Sequence, residues 1–118
     1  MTLLTKEQIF KADDVETRDV EVPEWGGTVR VSMMTGSARD SYEAGLYQSR
    51  KGDQENFENL RARYLSYCVV NDDGKLMFTA KDLIKLGTKS AFALDRVFSV
   101  ASELNGTSED GMEEVAKN

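Results

Sequence analysis

One spacing in this chain looks like metal chemistry. Asn71-Asp72-Asp73-Gly74 supplies the side-chain oxygens and the glycine of a calcium-binding loop. With Gly74 at the sixth position, Asn71 and Asp73 fall at the third and fifth. The first position is then Val69 and the twelfth is Ala80, and neither side chain can ligate. The segment is therefore expected to be a helix-to-helix turn with no bound metal. Residue type argues against most other chemistries. The 118 residues include no histidine, which removes the usual base at neutral pH, the His-paired nucleophiles and His-ligated zinc. A lone cysteine, Cys68, cannot build a cysteine-rich metal cluster or an internal disulfide, and it fits a reducing compartment. It falls in an apolar stripe beside Tyr64 and Leu65 with no basic pair next to it, so it reads as a small core hydrophobe rather than a reactive thiol. No glycine-rich phosphate loop occurs. The 21 Asp and Glu read as solvated surface acids, since no spacing singles out a catalytic pair. The expectation is a protein that is not an enzyme, with no catalytic residue, cofactor or metal.

Composition narrows the class further. A chain of 118 residues is expected to be a single domain, 1–118, large enough for a core without staples. Hydrophobic residues make up 40% and charged residues 31%, ordinary for a globular protein. No apolar run approaches the length of a membrane span, and the start, Met-Thr-Leu-Leu-Thr-Lys-Glu, has no basic region or cleavage site of a secretory signal. The net charge of −6 comes without a basic stripe, so nucleic acid and membranes are not expected partners. Its 15 basic residues are interspersed among the acids, which also argues against an acidic mimic of DNA.

The organising element is Asp19 to Met33. Val20 and Val22 alternate with Asp19 and Glu21, and Val29, Val31 and Met33 alternate with Arg30 and Ser32. That pattern predicts two strands with apolar residues on one face and Asp19, Glu21, Arg30 and Ser32 in water. Pro23 ends the first strand, and Gly26-Gly27 supply the positive φ of a reversal. A lone hairpin is marginal, so its valine face must lie on helices. Thr5-Lys6-Glu7-Gln8 is a capping box opening a short helix over Thr5–Ala12, whose Ile9 and Phe10 are expected to dock on the hairpin. Thr35 or Ser37 caps the next helix, with Ala38, Tyr42, Leu46 and Tyr47 as its stripe. Ser49 to Glu55 reads as a mobile loop around Gly52. Phe57, Leu60, Tyr64, Leu65 and Cys68 predict a helix over Asn56–Val69. Thr79-Ala80-Lys81-Asp82 caps a short helix carrying Leu83, Ile84 and Leu86, with Gly87 at its C′ position. Thr88 restarts the chain as a helix with the stripe Ala91, Leu94, Val97, Phe98, Ala101 and Leu104, stopped by Asn105-Gly106. A weak last turn with Met112 and Val115 precedes a frayed tail. The fold class is α+β: one antiparallel hairpin (about 17–34) packed on four or five helices (about 35–117), with no further strand specified.

Four residues stand out as partner contacts. Trp25 sits at the hairpin tip between an acid and two glycines; it either tucks onto the core, which carries the greater weight, or faces a partner. Tyr42, Leu46 and Tyr47 lie on a helix expected to be half core and half interface.

The order of these pieces resembles a known family. Val20-Glu-Val-Pro-Glu-Trp-Gly-Gly-Thr-Val-Arg-Val, then Met34-Thr35-Gly36 and the helix start at Arg39-Asp40, is similar to tail assembly chaperones of long-tailed, non-contractile bacteriophages. So is Cys68-Val-Val-Asn-Asp-Asp-Gly-Lys-Leu-Met-Phe-Thr79, followed by Leu86-Gly87-Thr-Lys-Ser90-Ala91 and Leu94-Asp95-Arg96-Val97-Phe98. The resemblance runs from about Asp13 to Lys117. It implies a late protein of the host cytoplasm, absent from the mature virion. Such a protein binds the long helical tape measure protein and keeps it soluble while the tail tube polymerises around it. It further implies a longer, frameshifted form that recruits tail tube protein. The end Ala116-Lys117-Asn118 would carry a slippery run if its codons were GCA AAA AAC, and a plain polar tail otherwise. A holdase also multiplies weak contacts by self-association, so Tyr47→Asp or Leu46→Asp is expected to abolish oligomers with helix content intact. The alternative is a small acidic adaptor or inhibitor that binds one folded partner.

Overall fold

Val20 lies opposite Val29, and Arg18 opposite Val31, in the antiparallel ladder of β1 (Thr17–Val22) and β2 (Gly27–Ser32). Opposite residues share a face, so the four valines line one side, as the alternation predicts. On the other side Asp19 faces Arg30, and the Arg30 Nε donates to Asp19 Oδ1 at 2.7 Å. A slip of one residue would invert both faces, so the register is pinned twice. Pro23 ends β1, a single 3-10 turn spans Pro23–Trp25, and Gly26 at φ 75° completes the reversal. The computed structural model describes residues 2–50 and 59–107. The expectations for most of the 49–55 loop, for Phe57, and for the last turn with Met112 and Val115 lie outside them.

The helix that covers the sheet, α5 (Ala91–Leu104 in this chain's order of elements), runs back along β1. Arg96 Nη2 donates to Glu24 Oε2 at 3.0 Å near the hairpin tip. At the other end the Arg18 Nη1 lies 3.6 Å from Glu103 Oε1, and Asn105 Oδ1 accepts from the Met34 N–H at 2.7 Å. The lengths match: 14 helical residues rise about 21 Å and six strand residues about 20 Å. Leu94, Val97, Phe98, Ala101 and Leu104 are buried as the stripe predicts, although Ala93 takes the buried place expected of Ala91. The helix starts later than Thr88. The Thr88 Oγ1 donates to the Lys85 carbonyl at 2.6 Å, closing the preceding helix, and Ser90 Oγ then accepts from the N–H groups of Phe92 and Ala93.

The other helices are α1 (Lys6–Lys11), α2 (Gly36–Arg50), α3 (Leu60–Ser66) and α4 (Leu83–Gly87). Thr35 rather than Ser37 caps α2, its Oγ1 accepting from the Ala38 N–H. Both expected capping boxes are present, at Thr5/Gln8 and Thr79/Asp82. Gly87 is the last residue of α4 without a positive φ, not a C′ glycine; a Cβ there would collide with the Asn59 side chain.

Four expectations are corrected. The helix predicted to reach Val69 stops at Ser66, because Val69–Val70 forms β3 on the free edge of β2, with Val31 opposite Val69 and Arg30 opposite Val70. Adjacent β-branched residues gain more from that edge than from another helical turn. Asn71–Lys75 is accordingly a strand-to-strand turn, closed by the Val70–Leu76 bridge, with Asn71 Oδ1 accepting from the N–H groups of Asp73 and Lys75 and Gly74 at φ 78°. Ser32 is buried, not in water: its N–H donates to the Cys68 carbonyl and its Oγ to the Met33 carbonyl. Ile9 and Phe10 do not dock on the hairpin; they are 55% and 80% exposed, because α5 already covers the valine face. The outcome is α+β, with five helices among the described residues and a three-stranded antiparallel sheet in place of an isolated hairpin.

Candidate functional site

The single cysteine and two of the tyrosines are insulated. Cys68 is fully buried, and burial pushes its thiol up to about 12. Tyr64 sits edge-on between Tyr42 and Phe98, with ring centroids 5.1 and 4.9 Å away. Its hydroxyl is bonded to Thr107, yet burial still pushes its pKa up to about 12. Tyr42 is raised further by the same cause. A thiol and two phenols held neutral in this way pack the interior. Among the described residues no group of three or more His, Cys, Asp or Glu converges as a metal site, and no helix is long and apolar enough to cross a membrane. Asp19 and Glu24 are held below the ordinary carboxylate range by hydrogen bonds from Arg30 and Arg96 respectively, so the hairpin's acids answer to the fold's own arginines.

Exposed apolar side chains gather at the two ends of the hairpin. At the tip, Trp25, Met77, Phe78 and Leu86 line an open groove of roughly 450 Å³. Lys85 and Lys89 stand on its rim, and the Asp82 carboxylate beside them is occupied in the Thr79 cap. The hairpin turn delivers Trp25, half-buried against the core. The segment after β3 delivers Met77, whose N–H donates to the Val69 carbonyl at 3.0 Å. Phe92 is 79% exposed at the start of α5, within about a turn of the Arg96–Glu24 pair, and Ile84 on α4 is 77% exposed. At the open end of the hairpin, α1 buries none of its residues, and Leu3 and Leu4 precede it in solvent. Scattered exposed apolar residues are ordinary; sets gathered at two ends mark contact surfaces.

The four residues singled out from the sequence separate. Tyr42 and Leu46 are buried at 2% and 3% exposure, and both belong to the central cluster. Tyr47, one position on, is 52% exposed on α2. Trp25 packs one side on the core, as weighted, and lines the tip groove with the other. Sequence reasoning missed Met77, Phe78 and Leu86 as groove residues, and Ile84 and Phe92 as exposed ones. Phe92 carries a legible signal: it stands off the buried stripe of α5 by one residue. Met77 carries none, since its place depends on β3.

No protein-family model matches the sequence, and no curated protein matches it. Among solved structures the chain is similar to the bacteriophage HK97 tail assembly chaperone. The TM-score is 0.59, over 87% of this chain and 95% of that one, at 16% sequence identity. The shared feature is the fold.

Proposed function

We propose that this chain is a non-catalytic phage tail assembly chaperone. In this reading it binds the tape measure protein, keeps that long helical chain soluble, and promotes polymerisation of the tail tube around it. It acts in the host cytoplasm and leaves before the virion is complete. A longer frameshifted form recruits tail tube protein, and self-association multiplies weak client contacts. The observation that supports this reading is the near full-length fold similarity to a tail assembly chaperone. Its physical counterpart is a molecule whose cysteine and two of whose tyrosines are buried while apolar side chains stand open at both ends of the hairpin. A helical client lays its apolar stripe on such residues. Tyr47 is the proposed client contact and Trp25 the self-association contact; Tyr42 and Leu46 hold α2 in place behind Tyr47.

Co-expression with the tape measure protein of the same genome tests this. The expected result is that the client becomes soluble and elutes with the chain on a sizing column. Tyr47→Asp is expected to lower the recovered client while leaving the melting curve of the chain in place. A client that stays insoluble while the chain elutes by itself overturns the reading and puts the adaptor in its place.

A further inference from the structure

We infer that α1 of one copy is the ligand for the tip groove of a second copy. This deepens the self-association in the proposed function by naming its two surfaces.

The first argument is that α1 is a capped helix that buries none of its residues, its Ile9 and Phe10 only lining an open hollow beside Met33 and Met34. A helix of six residues is marginal in water. This one nevertheless has a complete capping box: Thr5 Oγ1 accepts from the Gln8 N–H at 3.2 Å, and Gln8 Oε1 accepts from the Thr5 N–H at 2.9 Å. A helix that is capped but buries nothing is preorganised for another surface, which lowers the ordering cost of docking. Its apolar residues, Ile9 and Phe10, are adjacent and exposed.

The second argument is charge. The segment around and after α1 carries Glu7, Asp13, Asp14 and Glu16 against Lys6 and Lys11, all exposed; α1 itself holds the two lysines, and three of the four acids lie together just after it. The groove rim carries Lys85 and Lys89, with exposed Lys81 preceding them at the same four-residue spacing. Among the described residues none of these lysines is in an ion pair. An acidic arm and a basic rim are complementary, whereas two arms or two rims repel.

The third argument is geometry. The arm enters β1 at Thr17 and the groove is built on the hairpin turn, so the surfaces lie at opposite ends of a hairpin about 20 Å long. One copy cannot close the contact on itself. Arm-into-groove is then a heterologous contact, which propagates head to tail into a ring or an open stack. A short helix in one groove buries less than a standard stable interface, so assembly is weak and concentration-dependent.

Light scattering behind a sizing column, on the full chain without client, tests the interface. Phe10→Asp disables the arm and Met77→Asp disables the groove; both positions are exposed, and thermal melts check that each variant folds. Ile9→Asp and Lys85→Glu serve if either variant fails that check. The expected result is that wild type grows beyond a dimer with concentration and that each variant alone is monomeric. An equimolar mixture of the two variants is expected to give a dimer that grows no further, because one intact arm meets one intact groove. Variants that assemble as wild type does, or a mixture that stays monomeric, overturn the interface. A monomeric wild type overturns it too, while a client experiment that succeeds leaves the chaperone reading standing.

Discussion

At Tyr42 the phenol ring packs edge-on against Tyr64 and Tyr67, yet its buried hydroxyl has no hydrogen-bond partner among the described residues. A stranded buried hydroxyl costs about 1–3 kcal/mol, so Tyr42→Phe is expected to raise the midpoint of thermal unfolding while keeping the ring contacts. Leu46 and Tyr47 form a sharper pair. Leu46→Asp puts a carboxylate into the central cluster and is expected to cost about 4 kcal/mol or more, seen as loss of the cooperative melt. Tyr47→Asp is expected to cost under about 1 kcal/mol. The sequence-based expectation that Leu46→Asp would spare the helices is therefore corrected: the side chain belongs to the core. Reading a stripe as half core and half interface is legitimate, but a one-residue step around the helix decides which half a residue joins.

Helix caps separate elements that carry stability from elements that do not. Ser90 caps the helix that covers the sheet, so Ser90→Ala is expected to cost about 1 kcal/mol in equilibrium unfolding. Thr5→Ala removes a similar cap from α1, which buries nothing, and is expected to leave the global midpoint unchanged. Hydrogen exchange is the complementary check: amides of α1 exchange by local fraying, while those of β2 and α5 require the large opening. Both capping boxes were legible because a cap is local chemistry among four consecutive residues. β3 was not, because Val69 and Val70 become a strand only where β2 leaves an edge for them, and that edge comes from the other half of the chain.

Over the whole molecule, buried acids set the alkaline limit of stability. Burial pushes Cys68 and Tyr64 up to about 12 from ordinary values of 9.0 and 10.0, and raises Tyr42 as well. A raised pKa contributes stability that is fully present below the unfolded value and is lost as pH rises through the folded one. Urea unfolding is therefore expected to show a plateau at neutral pH and a steady loss from about pH 9 toward about 12. Asp19 and Glu24 act in the opposite sense: their pKa values are lowered, so their contribution is present above the unfolded values of 3.8 and 4.5 and is lost on acidification. Both are exposed, so the acid arm is expected to be shallower than the alkaline one.

By itself the sequence determined the hairpin and its valine face, both capping boxes, the α5 stripe from Leu94 to Leu104, and the burial of Cys68. Each is fixed by period or by neighbours a few residues apart. Tertiary structure decided which apolar residues stay outside. Ile9 and Phe10 are left in solvent because α5 reaches the valine face first, and Met77 reaches the tip groove because β3 carries it there. Apolar character marks a residue as able to be buried; whether it is buried depends on which surfaces compete for the same face, and that competition is settled only when distant segments meet.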